Sequence, residues 1–176
     1  MTTITIGQIR AGTYTLDLVH STFAFAVKHN GVSTFRGQFE QVEAKLEDTV
    51  LTGSAQVESV KIALPPLKEH LLSPDFFNAA DTPTITFRST DIRIADDGRA
   101  EVDGELTIRG VTKPLTAKGN LAYGENVFGA EVVGLALKAT VDRREYGLDW
   151  QAQLPKGRDL LGWDVMLEVD LELVKA

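Results

Sequence analysis

The chain contains no cysteine. Disulfides, thiolate metal sites and cysteine nucleophiles are therefore excluded. No stretch approaches the roughly 20 apolar residues of a membrane-spanning helix, so stable membrane insertion is not expected. No block of five or six like charges occurs, and the basic residues are scattered. The formal net charge is −7 and the pI is near 5.0, which disfavours nucleic acid or an anionic membrane surface as the main partner. The opening residues, MTTITIGQIRAG, lack a basic segment followed by an apolar one, so a cytoplasmic location is the expectation. Histidine is scarce: three residues, none in HxH or HxxxH spacing.

What is present reads as a soluble globular protein. The 176 residues, 43% hydrophobic and 24% charged, are enough for a single domain over 1–176 with a sizeable core. The stretch from Tyr14 to Phe39 holds two alternating runs joined by Asn30-Gly31, a dipeptide suited to the positive φ angles of a tight hairpin. Phe23, Phe25, Val27 and His29 share one face of the first run, with Thr22, Ala24, Ala26 and Lys28 opposite. Phe35, Gly37 and Phe39 share a face of the second. The hairpin thus has an aromatic side, as a wall around an apolar interior would.

Alternation continues along the chain. Met1 to Ala11 has a loose pattern (Ile4, Ile6, Ile9) and is expected to lie on the barrel as a leading segment. Tyr14, Leu16 and Leu18 begin the first wall strand, and Gln41 to Leu46 forms another. Leu51 to Val60 alternates as a strand. Between about 64 and 80 the period changes: Pro65-Pro66 can open a helix, Leu64, Leu67 and Leu71 recur at helical spacing, and Ser73-Pro74-Asp75 can restart it. Strands return at Pro83 to Ser89, at Glu101 to Ile108 after the Asp96-Asp97-Gly98 turn, at Lys113 to Leu121, and at Val127 to Thr140 after Tyr123-Gly124-Glu125-Asn126. Gln151 to Leu161 is loop-like. The last strand sets Trp163, Val165, Leu167, Val169, Leu171 and Leu173 against an acidic face. An all-β fold of eight antiparallel strands closing into a barrel, with one short helical lid, accounts for this pattern. A β-sandwich is the competing architecture, because alternation alone does not show closure.

Several of these stretches resemble the YceI-like family. Asp17, His20-Ser21, Phe23, Phe25, Val27, His29, Gly31-Val32-Ser33, Gly37 and Phe39 match its opening signature. His70-Leu71, Ser73, Asp75-Phe76-Phe77, Pro83, Ile85, Phe87 and Ser89 follow in order. Gly104, Leu106-Thr107-Ile108, Gly110 and Thr112-Lys113-Pro114 come next, then Arg143 and Tyr146-Gly147. The resemblance implies a lipocalin-like barrel holding a long isoprenoid or similar lipid, and pairing as a homodimer. Many relatives carry a secretory leader, which this sequence does not show.

No catalytic constellation stands out. Asp17, His20 and Ser21 are close together, but no GxSxG elbow exists, and strand parity would place Asp17 and His20 on opposite faces. A lone histidine on an apolar strand face usually makes a core hydrogen bond, so no metal site is expected of His20, His29 or His70. Gly104 to Lys113 is one residue too long for a phosphate loop and lacks Ser or Thr after the lysine. Arg143-Arg144-Glu145 reads as a structural ion-pair cluster. The aromatic residues suit either a packed core or a lipid tunnel. With the resemblance, the expected tunnel wall is Phe23, Phe25, Val27, His29, Phe35 and Phe39 from the hairpin. Leu71, Phe76 and Phe77 would come from the helical segment, and Ile85, Phe87, Leu106 and Ile108 from the strands after it. No cofactor is expected, and carriage, storage or sequestration is the expected role. An enzyme acting on a lipid-like substrate through His20 or His29 is the alternative, and an interaction domain with a filled core the third.

Overall fold

The structure, a computed structural model, describes residues 3–4 and 10–176. The backbone of Thr3–Ile4 forms β1, paired with Ala95 and Ile94. Ile6 and Ile9 of the expected leading segment lie outside the described residues. β2 (Thr13–Leu16) and β3 (Thr22–His29) occupy one barrel position, interrupted by a 3-10 turn at Leu18–His20. β4 (Ser33–Phe39) and β5 (Val42–Glu47) occupy the next. β6 (Val50–Gln56), β7 (Thr84–Ala95), β8 (Arg99–Ile108), β9 (Val111–Glu125), β10 (Glu131–Asp142) and β11 (Leu161–Lys175) complete the circuit.

Closure is made by β11. One edge of it pairs with β10 from Val132↔Val174 to Asp142↔Asp164. Its other edge takes β2 at Leu173↔Leu16 and then β3 from Val169↔Phe23 to Leu161↔His29. All ladders are antiparallel, and the eight positions form a closed barrel. The sandwich alternative is thereby removed. The wall is looser only beside β4. There β6 has already ended, and the next contact is the bridge between Phe39 and Val60. The helix α1 (Pro65–Leu72) follows that bridge in the chain, with Leu71 buried in the core.

Four local expectations are corrected. The strand read from Leu51 to Val60 ends at Gln56, because Val57–Ser59 turns as a 3-10 segment with Val57 N donating to Pro83 O at 2.8 Å. Helix stops at Leu72, and Ser73 to Thr82 is a series of turns. The Ser73 hydroxyl donates back to His70 O at 2.6 Å instead of starting a second helix. Val127 and Phe128 are the tip of the β9–β10 hairpin, not strand, since the Asn126 side chain accepts from both Phe128 N and Ala130 N. Asp17 and His20 are not on opposite faces: the 3-10 turn brings Asp17 Oδ2 to 2.8 Å from His20 Nδ1.

A bulge at Thr90 explains a change of parity within β7. Ile85, Phe87 and Ser89 face inward before it; Ile92 and Ile94 are the buried residues after it. The lower barrel is filled by Tyr14, Leu46, Ile92, Val102, Val133, Leu135 and Leu173, all at or near full burial. Tyr14 donates its hydroxyl to Glu131, which also takes Arg10 Nη1 at 3.0 Å. Burial first, and that carboxylate second, push the Tyr14 phenol up to about 12.

Outside the wall, Arg93 gathers three carboxylates. It donates to Asp91 at 2.7 Å, to Asp103 at 2.7 Å and to Glu101 at 3.0 Å across β7 and β8. Hydrogen bonds from Arg93 and then Thr116 hold Asp103 down to about 2. The ionised form is thus favoured in the folded state. Its contribution to stability is complete above the ordinary carboxylate pKa near 4 and is lost as pH falls toward 2. We expect Asp103→Asn to flatten the acid limb of stability. Thermal unfolding of both proteins across pH 2–7 checks this, and superimposable acid limbs would refute it.

Candidate functional site

Above the packed floor the barrel is hollow. A cavity of about 670 Å³ runs from Ala44, Leu51, Ala117 and Leu171 at its base to His29, Ser33, Thr34, Leu67 and His70 at its mouth. Small inward residues create it: Ala44 and Ala117 at its base and Gly53 and Ala55 above them line it, where the floor has Leu, Ile and Val. Two glycines let aromatic rings lie flat on the wall. A Cβ on Gly37 would sit 2.3 Å from Phe25 Cζ, and one on Gly104 would sit 2.4 Å from Phe87 Cζ. The rings therefore cover backbone that a larger residue would fill.

All thirteen residues singled out from the sequence reach this cavity. Phe23, Phe25, Val27, His29, Phe35 and Phe39 line it from the β3–β4 hairpin. Leu71, Phe76 and Phe77 come from the lid, and Ile85, Phe87, Leu106 and Ile108 from β7 and β8. The Phe25, Phe39 and Phe77 rings meet with centroids 5.7–6.1 Å apart, distances suited to tilted and edge-on aromatic packing.

Other lining residues went unremarked. Val165, Leu167 and Val169 sit on the regular alternation of β11, which marked a buried face but not which of its residues meet empty space. Trp150 carried no signal, since it lies in an irregular segment. Its ring packs edge-on to His70 at 4.8 Å and near Phe76 at 5.3 Å. His70 Nε2 also lies 2.9 Å from Asp75 Oδ2, which fixes the ring at the mouth.

The lid is tied down by backbone groups. Phe77 N donates to Leu71 O at 3.0 Å, Ala79 N to Leu72 O at 2.9 Å, and Arg109 Nη1 to Phe76 O at 2.8 Å. The loop opposite is held by Arg143. Its Nε donates to Gly162 O at 2.9 Å, and its Nη1 to the carbonyls of Leu148 and Trp150, both at 2.7 Å. The guanidinium carbon lies 4.3 Å from the Trp163 ring centroid, a cation–π contact. Burial lowers the Arg143 pKa, with Asp142 and Asp149 opposing that effect. Its Nη2 has no hydrogen-bond partner among the described residues. The expected ion-pair cluster is thus divided: Arg144 pairs with Asp142 at 2.6 Å, and Arg143 serves as a carbonyl clamp.

Acid–base groups are sparse around the cavity. His29 lines the mouth. His20 is exposed and does not line the cavity, where its hydrogen bond with Asp17 raises its pKa and lowers that of Asp17. Ser21 Oγ donates to Asp17 O at 2.7 Å and accepts from Glu172 N, so no serine–histidine contact forms. Asp17, His20 and Glu172 bring ligand-type atoms within 4.8 Å of one another, and Asp17 already accepts from His20 Nδ1 and Val19 N.

A closed eight-stranded barrel with a packed floor, a hollow apolar upper half and a helical lid belongs to the lipocalin-like, calyx type of β-barrel. The family model described as a YceI-like domain matches residues 14–173, and the chain belongs to the YceI-like family. It is 32% identical over 159 residues to a UPF0312 protein of Pseudomonas aeruginosa, covering 82% of this chain and 80% of that one. A Staphylococcus aureus UPF0312 protein is 29% identical over 168 residues, covering 90% and 95%. Among solved structures, Burkholderia cenocepacia BcnA superposes with a TM-score of 0.71 at 18% identity, over 89% of this chain and 98% of that one. A polyisoprenoid binding domain from Saccharophagus degradans gives 0.70 at 13% identity, over 93% and 98%. These two likenesses establish the fold.

The two wall glycines differ in what surrounds them. An added methyl at Gly37 meets only the Phe25 ring, which has the cavity beside it. At Gly104 it also meets the Arg88 carbonyl at 2.5 Å, which is backbone. We expect Gly37→Ala to fall at the low end of the about 1–3 kcal/mol typical of overpacking, and Gly104→Ala at or above the high end. Denaturant unfolding of both variants measures the order, and equal losses would contradict it.

Proposed function

We propose that the barrel binds one long apolar or amphiphilic molecule, with an isoprenoid, polyprenyl lipid or quinone as the leading class. Its role is carriage, storage or sequestration. The observation that carries this reading is the apolar cavity of about 670 Å³, within the 300–1,000 Å³ typical of small-molecule sites. Family membership and the polyisoprenoid binding domain of S. degradans as a structural neighbour support it. Each buried CH₂ contributes roughly 0.8 kcal/mol, so a chain of several isoprene units binds firmly without a dedicated polar contact. Action as a single domain, a cytoplasmic setting and pairing as a homodimer belong to the same reading. The enzyme alternative draws no support from the histidines: His20 is outside the cavity, and no carboxylate hydrogen-bonds His29 among the described residues.

Ala117 faces the cavity near its base, so Ala117→Trp fills space in place of a ligand. We expect a polyprenyl or similar lipid in an organic extract of the purified wild type by mass spectrometry. An apolar fluorescent probe should bind the emptied barrel. Ala117→Trp should keep the fold and lose at least about tenfold in probe affinity, the free energy of roughly two buried CH₂ groups. An empty extract together with a wild type that never takes the probe would sink the lipid reading.

A further inference from the structure

Three segments frame the cavity mouth. The β3–β4 turn holds Val32 next to the lining residue Ser33. The start of α1 holds Leu64 three residues before Leu67, and the ribbon 151–160 ends at the lining residue Leu160. Their placement follows from backbone bonds. Asn30 N donates to Leu160 O at 2.8 Å, joining the ribbon to the turn. Lys61 N donates to Gln38 O at 2.7 Å, so residues 61–64 start beside β4 and lead into α1 at the mouth. Val32 is 79% exposed and Leu64 60%. Two sizeable apolar side chains thus stand in solvent on the rim of an apolar cavity.

Cations gather locally around them. The chain carries −7, yet residues 28–36, 61–72 and 151–160 hold Lys28, Arg36, Lys61, Lys68, Lys156 and Arg158 against Glu69 and Asp159, while the adjoining connections 73–83 and 143–150 add Asp75, Asp81, Glu145 and Asp149 beside Arg143 and Arg144. Asp159 already accepts from Trp163 Nε1 and from Gln153. Lys28, Arg36, Lys68, Lys156 and Arg158 form no ion pair among the described residues; Lys61 makes a loose one to Glu40 at 3.8 Å. At the opposite end the hairpin tips hold Glu47, Asp97 and Glu131, paired with Lys45, Arg99 and Arg10, together with Asp48, Asp96 and Glu125, which form no ion pair among the described residues. The cations without ion pairs therefore stand at these rim segments, and carboxylates without ion pairs at the floor tips.

We propose that the mouth rim docks reversibly on an anionic lipid bilayer surface. Val32 and Leu64 enter the headgroup boundary, and the basic side chains lie against the phosphates. Exposed apolar anchors combined with basic residues are the pattern of interfacial, non-spanning attachment. The floor tips point away from the surface, and net charge alone does not show where the unpaired cations gather. Val127 and Phe128, 94% and 90% exposed at the floor end, lie between Glu125 and Glu131 and so are repelled by the same surface. Loading of a guest through the docked mouth rests on the carriage reading; docking itself does not.

The test is flotation of the full chain with vesicles of phosphatidylcholine, with and without phosphatidylglycerol. Binding is expected only with phosphatidylglycerol and is expected to fade at high salt. The pair Val32→Glu with Leu64→Glu, and separately Lys28→Glu with Lys156→Glu, should each lower partitioning about tenfold or more. Phe128→Ser should leave it unchanged. Far-UV circular dichroism and binding of the apolar probe show that each variant is folded. No binding to anionic vesicles, or binding that both rim pairs leave intact, overturns the proposal, as does loss with Phe128→Ser. Failure to float while the probe still binds leaves the carriage reading standing. Flotation without probe binding removes that reading and keeps the docking.

Discussion

The structure depends on one geometric constraint, the closure of eight antiparallel positions around an interior only as wide as its side chains can span. At that diameter, residue size at each inward position decides between a filled core and a void. Near the floor the inward residues are Leu, Ile, Val and Tyr14, and they meet in the centre. Above them Ala44, Gly53, Ala55 and Ala117 leave the axis open, and Gly37 and Gly104 let the Phe25 and Phe87 rings lie back on the wall. The cavity follows from that change in side-chain volume along an otherwise uniform wall.

The upper end solves a second problem. A barrel end leaves backbone groups and apolar rims without cover, and here α1, the turns after it and the loop before β11 supply that cover. An eight-residue helix is too short to be stable alone, and its Leu64 cap position offers no side-chain acceptor. It is held by burial of Leu71, Phe76 and Phe77 and by backbone N–H groups of the turns that follow, which donate to its Leu71 and Leu72 carbonyls. Arg143 performs the matching task opposite, spending its donors on three carbonyls of the rim. These are short-range attachments at the margin of a large ladder, so the mouth is the part of the wall with fewest ladder bonds to break. Local opening is drawn from such regions.

Much of this was readable before the structure. Period-2 alternation gave β3, β4, β8 and β11 with the correct inward faces, and Asn30-Gly31 marked its turn, where both residues have positive φ. The misreadings share one cause: a hydrogen bond that alternation cannot see. Asn126 closing its own turn removed Val127 and Phe128 from β10. The 3-10 turn after Asp17 cancelled the parity argument for His20. The Thr90 bulge lies past the run read from Pro83 to Ser89 and turns Ile92 and Ile94 inward in the second half of β7. Trp150 reached the mouth because Arg143 and the β11 register folded its loop inward, which no local pattern encodes.

The sequence by itself determined which side chains face inward within each uninterrupted run such as β3, β4 and β8, because strand parity is a local property of consecutive residues. It also determined that no thiol chemistry occurs and that one helical segment interrupts the strands. Only the tertiary structure decided that the inward faces enclose space. Whether two apolar residues touch depends on the distance across the barrel, which strand pairing and closure set between residues far apart in the chain. The same holds for charge. Lys28, Lys68 and Arg158 are dispersed along the sequence and meet at one rim, since antiparallel closure returns every second connection to the same end.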